Sequence, residues 1–271
     1  MTRKRRVAVF DIYNTLIRIK TDEDDTGAYA FLADWLSRKG ISMGPQDLRA
    51  RFKSITKKEI ESSRKPHPEV EIGEVFEQVI FGNAAPGRAR HRSLAVETAL
   101  LFRMLTTKSI SLVPGADAVL RELQNEFRLA IVSNSQRLFT MPELHKFDLS
   151  RYFEYMLFSS DIKTCKPDPA IFRKALADLR ADPSDAVYVG DDPAIDVAGA
   201  KRAGMRAIWL NHDHAASARG PRGGAAPDAV VTVDAYRELP DRIREILGTG
   251  VQRCVSTRRM CAGSTAGSRR T

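Results

Sequence analysis

Cysteine is nearly absent from this 271-residue chain: Cys165, Cys254 and Cys261 are the three present. That number cannot build a disulfide framework, and no Cys/His cluster of zinc spacing accompanies them. A reducing, cytoplasmic setting is the expectation. Long hydrophobic runs are also missing. No stretch approaches the roughly 20 apolar residues that span a bilayer. After the basic start Met1–Arg6, only Val7–Phe10 is apolar, short of the core of a secretion signal. A membrane partner is therefore not expected. What the body of the chain lacks most tellingly is net charge. The formal +9 arises from Arg3 to Arg6 and from Arg253, Arg258, Arg259, Arg269 and Arg270. Residues 7–246 are neutral. The pI thus describes two ends, and nucleic acid is not an expected partner of the body.

What is present is alternation. Short apolar runs at Val7–Phe10, Leu129–Val132, Tyr155–Phe158, Ala186–Val189, Ala207–Leu210 and Ala229–Val233 read as buried strands. Helical spacing fills the intervals, as in Ala116–Asn125 and Ala170–Leu179, the latter opened by Asp168 as N-cap and Pro169. Strands alternating with helices predict an α/β fold, a doubly wound, mostly parallel Rossmann-like sheet. From about Arg18 to Lys108 no strand-like run is found, only amphipathic patterns such as Ala28, Phe31, Leu32, Trp35 and Leu36. That predicts an inserted all-α unit. Residues 1–17 and 109–247 would form the α/β core and 18–108 a helical cap. The Ala/Gly/Arg-rich stretch Ala215–Pro227 reads as a surface loop, and 248–271 as a disordered basic tail.

Ligands of open parallel sheets bind outside the carboxyl ends of the strands. The residues found there form an ordered set. Asp11 follows the first run, in Asp11-Ile12-Tyr13-Asn14-Thr15. Ser133 and Asn134 follow the second, Lys166 lies beyond the third, and Gly190-Asp191-Asp192-Pro193-Ala194-Ile195-Asp196 follows the fourth. Singly, each has a plain structural reading: Asp11 a cap, Ser133 a turn hydroxyl, Lys166 a solvated lysine, Asp191 and Asp192 caps of a helix near Ala194. His212-Asp213-His214 reads as a loop pair, because two ligands without a third make no metal site.

Taken together, Asp11-x-x-x-Thr15, Ser133, Lys166 and Gly190-Asp191-x-x-x-x-Asp196 resemble the four motifs of the haloacid dehalogenase superfamily of hydrolases. The resemblance spans about residues 7–246, including a helical cap after the first motif. It implies covalent catalysis, with Asp11 as nucleophile, Thr15 orienting its loop, and Ser133 and nearby groups binding the transferring group. Tyr13, Asn14, Ser133, Asn134 and Lys166 would contact substrate, and Lys166 would neutralise charge. Asp11, the Tyr13 carbonyl and Asp191 would hold Mg²⁺, supported by Asp196.

One position departs from the phosphatase pattern. Members that hydrolyse phosphate monoesters usually carry a second Asp two residues after the nucleophile, where this chain has Tyr13. Tyrosine is what the haloacid dehalogenases of the family carry, and they work without metal. The acids Asp191, Asp192 and Asp196 point the other way, since carboxylates beside Asp11 repel one another unless a cation sits among them. The expectation is a Mg²⁺-dependent phosphatase of a small anionic metabolite. The alternatives are a metal-independent 2-haloacid dehalogenase-like hydrolase and a weak or inactive binding module.

Overall fold

The computed structural model describes residues 6–82, 89–212 and 225–248. The expectations for the two basic ends, for most of Ala215–Pro227 and for His214 fall outside these residues.

All six apolar runs are strands of one parallel sheet. They are β1 (Val7–Phe10), β4 (Arg128–Ser133), β5 (Tyr155–Phe158), β6 (Ala186–Gly190), β7 (Arg206–Asn211) and β8 (Ala229–Thr232), in the order β5-β4-β1-β6-β7-β8. Both faces are buried, which is why the strands read as continuous apolar runs. Alternate residues serve opposite layers. Ala8, Phe10, Ile131, Val189 and Leu210 face a core shared with helices α5 (Ala116–Leu123) and α10 (Leu239–Leu247). Val7, Val9, Val132, Tyr188 and Trp209 face the layer built on α8 (Pro169–Leu179). Asp168 caps α8 by accepting from the Ala170 amide at 2.9 Å, as its sequence predicts. The chain builds β4 and β5 on one side of β1, then returns to lay β6 on the other. The carboxyl ends of β1, β4 and β6 therefore flank a topological switch point.

The segment expected to lack strands holds two. β2 (Ile17–Thr21) and β3 (Thr107–Leu112) pair antiparallel, with Ile17 opposite Leu112 and Ile19 opposite Ile110. A half-exposed ribbon needs only alternate apolar residues, so no apolar run marks it.

Between its strands lie α1 (Thr26–Arg38), α2 (Pro45–Ser62), α3 (Ile72–Phe81) and α4 (Ala89–Thr106). They enclose a separate core in which Phe52, Phe76 and Phe102 sit with ring centroids 5.1–5.5 Å apart. On α1 the buried face is Ala28, Tyr29, Leu32, Ala33 and Leu36. Phe31, expected inside, is half-exposed. Between β4 and β5 runs α6 (Arg137–Lys146), whose Phe139 joins the helical core. Among the described residues no helix is long and apolar enough to cross a membrane.

Candidate active site

At the carboxyl end of β1 the chain turns sharply. Leu16 and Ile17 amides both return to the Ile12 carbonyl, at 2.7 and 2.9 Å. Asn14 stands in the left-handed region at φ 58°, a conformation asparagine tolerates better than most residues. Its carbonyl accepts from His212 Nε2 at 2.6 Å, which gives His212 a loop-fixing contact. Thr15 is fully buried in this turn and its carbonyl accepts from Tyr236.

Asp11 ends up beside groups from three other segments. Lys166 Nζ lies 2.8 Å from Asp11 Oδ1 and 2.6 Å from Asp196 Oδ1, within a fully enclosed setting. It also donates to the Tyr188 hydroxyl at 2.9 Å, and Tyr188 donates to the Val132 carbonyl at 2.7 Å. Burial pulls the Lys166 ammonium down, but Asp11 and Asp196 outweigh it and hold the group above its ordinary range.

Ligand oxygens of Asp11, Asp191 and Asp196 all lie within 4.8 Å of one another. Three carboxylates against one lysine leave surplus negative charge in a buried place. Its effect is legible at Asp191, whose carboxyl is pushed up to about 7 by burial and by Asp11 and Asp196. Burial also raises the Asp196 carboxyl above its ordinary range, against the pull of Lys166. Hard oxygen donors with unbalanced charge suit a divalent cation such as Mg²⁺. The three carboxyl groups of the fourth motif divide their work. Asp196 spends Oδ1 on Lys166 and Oδ2 on the Asp192 amide at 3.1 Å. Asp192 caps the turn after β6, accepting from the Ala194 and Ile195 amides. Asp191 faces inward, its carbonyl held by Trp209 Nε1 at 3.0 Å.

The remaining expected residues are close by. Ser133 ends β4, buried. Asn134 accepts from the Lys166 amide at 2.6 Å and donates to its carbonyl at 2.9 Å, so its side chain secures the Lys166 loop. Tyr13 turns away from the carboxylates. Its hydroxyl donates to Glu143 Oε2 at 2.6 Å and accepts from Arg103 at 2.9 Å, while Arg103 Nε donates to Glu143 Oε1 at 2.8 Å. Burial and Glu143 push the phenol far above its ordinary range against the pull of Arg103. Tyr13 thus keeps its proton at neutral pH, with the hydroxyl engaged by Glu143 and Arg103. Arg103, Glu143, Tyr188 and Trp209 escaped the sequence reading. Tyr188 alone carried a signal, because a phenol inside an aliphatic strand needs a buried partner.

Comparison with known proteins places the chain in a family. Residues 46–210 match the haloacid dehalogenase-like hydrolase family, and the chain belongs to it. Among curated relatives it is 37% identical over 131 residues to a phosphoglycolate phosphatase of Cupriavidus necator, covering 48% of this chain and 54% of that protein. It is 35% identical over 128 residues to a phosphoserine phosphatase of Thermus thermophilus, covering 47% and 49%. The chain thus spans about half the length of these relatives. A solved structure, 2-haloacid dehalogenase from Pseudomonas syringae pv. Tomato DC3000, superposes with TM-score 0.62 at 27% identity, covering 89% of this chain and 99% of that one.

Proposed function

We propose that this protein is a cytoplasmic, Mg²⁺-dependent phosphomonoester hydrolase acting on small phosphorylated metabolites through Asp11. The observation that carries the reading is the convergence of Asp11, Asp191 and Asp196 within 4.8 Å around a single lysine. The phosphatases among its relatives support it.

Asp11, the Tyr13 carbonyl and Asp191 would hold the ion, with Asp196 keeping Lys166 and the Asp192 turn in place. Bound Mg²⁺ would offset charge on the phosphoryl oxygens and the attacking carboxylate. Asp11 Oδ attacks phosphorus, a carboxylate–phosphorus bond forms, and the bond from phosphorus to the ester oxygen breaks. The departing alkoxide takes its proton from water, because the place of a carboxylic acid is filled by Tyr13. A second water then cleaves the aspartyl phosphate and regenerates Asp11. Lys166 offsets the charge of Asp11 throughout, and Ser133 and Thr15 bind the transferring group and fix the loop. Residues 18–108 serve as a cap over residues 1–17 and 109–247, excluding bulk water from the reaction.

Tyr13 and the dehalogenase likeness favour a second reading. There Asp11 attacks C2 of a 2-halo acid and the carbon–halogen bond breaks to release halide, without metal. Assaying phosphate esters and 2-chloropropionate with Mg²⁺ or chelator separates the two. The phosphatase reading expects phosphate release that chelator abolishes and that Asp11→Asn lowers by at least about 10³-fold. Chloride release that persists in chelator and needs Asp11 establishes the other.

A further inference from the structure

Resting on the phosphatase reading, we propose that the substrate's leaving group carries a cation, making the substrate class the phosphate esters of amino alcohols. A chamber of about 310 Å³ opens between the helical unit and the carboxyl edge of the sheet, with Tyr13, Asn134 and Ser135 on its wall. Tyr13 and Asn134 stand two residues and one residue beyond Asp11 and Ser133, and on this proposal the group attached to the phosphoryl lies in the chamber.

Its charges decide what it holds. Arg103 is on the wall, but its Nε and one terminal nitrogen are committed to Glu143 and Tyr13. Glu23 and Glu69 also line the chamber; Glu23 is within electrostatic reach of Arg103, whereas Glu69 makes no ion pair among the described residues. Glu69 instead accepts from the Val70 amide at 2.9 Å and the Ser159 hydroxyl at 2.8 Å, neutral partners that fix it and leave its charge standing. The adjoining Cys165 thiol donates to the same carboxylate at 3.4 Å, and burial and Glu69 push it up to about 12. A carboxylate on the leaving group would meet like charge here; an ammonium meets opposite charge.

Two further features match an ammonium. Ser135 is 7% exposed, and its hydroxyl, like that of Thr56 across the chamber, has no hydrogen-bond partner. Buried hydroxyls need partners, and each accepts from an N–H. The walls are also aromatic. The Arg103 guanidinium takes the faces of Phe139 at 5.2 Å and Tyr13 at 5.5 Å, which leaves Phe52 as the ring presented to the chamber. Acidic and aromatic walls together are the chemistry that recognises ammonium groups.

The test compares three phosphates of similar size on the full-length protein with Mg²⁺: 2-aminoethyl phosphate, 2-hydroxyethyl phosphate and phosphoglycolate. Expected is a kcat/KM for the amine at least about tenfold above the neutral ester, with phosphoglycolate lowest. Glu23→Gln, an exposed position, and Glu69→Gln should each lower the amine-to-neutral ratio at least about threefold through KM for the amine. Equal kcat/KM for all three, a preference for phosphoglycolate, or an amine preference that neither variant reduces overturns the inference and leaves the phosphatase reading standing. If none of the three nor p-nitrophenyl phosphate is turned over, both fall.

Discussion

Gly190 is glycine because Asp196 folds back over it. A Cβ at that position would lie 2.3 Å from Asp196 Oδ2 and 2.7 Å from its Cβ. Gly190→Ala must push Asp196 off Lys166, and about 1–3 kcal/mol of stability with at least tenfold of kcat should be lost, read by denaturation and turnover. Asp191 has a different signature. Its metal-free carboxyl is raised to about 7, so its folded form favours the proton. The stability this confers is present below pH about 4 and is lost as pH rises through about 7. A cation binding the carboxylate competes with that proton. Mg²⁺ should therefore raise Tm more at pH about 8 than at about 5.5, and Asp191→Asn should raise the metal-free Tm at pH 8 while abolishing the Mg²⁺ response. Thermal melts across pH check both. Of the residues in this cluster, Asp11, Lys166, Asp191 and Asp196 were legible in the sequence because each follows a strand that sequence reveals. Trp209 was not, since its side chain reaches the site sideways from within a strand.

At the scale of elements, the helical unit is fastened to the sheet at several places. Gln136 bridges the backbone of residues 70 and 72, donating to the Val70 carbonyl and accepting from the Ile72 amide, both at 2.9 Å. On the opposite side Arg103 of α4 pairs with Glu143 of α6, with side chains only 14% and 11% exposed. Removing one partner strands the other charge. Glu143→Met should cost about 2–4 kcal/mol, whereas Arg103→Met with Glu143→Met should cost less than these two single changes summed. Urea unfolding of the four proteins measures that coupling. None of this was visible beforehand, because Arg103 and Glu143 lie 40 residues apart and only the fold brings them together. The β2–β3 ribbon was missed for another reason. Ile17, Ile19, Ile110 and Leu112 alternate with polar residues, a period-two signal that a search for continuous apolar runs passes over.

For the whole molecule the doubly wound fold was the most legible level. Continuous apolar strands can only be buried on both faces, and helices between them force parallel crossovers. The switch point at β1 then gathers the strand-end residues without further information. The shape of the chamber under the helices has no such sequence code. The central claim, that Asp11 carries the phosphoryl group, is tested most directly by quenching the protein during turnover of a phosphate ester with Mg²⁺, reducing with borohydride and sequencing by mass spectrometry. An aspartyl phosphate should be reduced to homoserine at position 11, only with substrate and Mg²⁺ present. Turnover that continues with Asp11 unreduced, or with the label at another residue, would contradict the account.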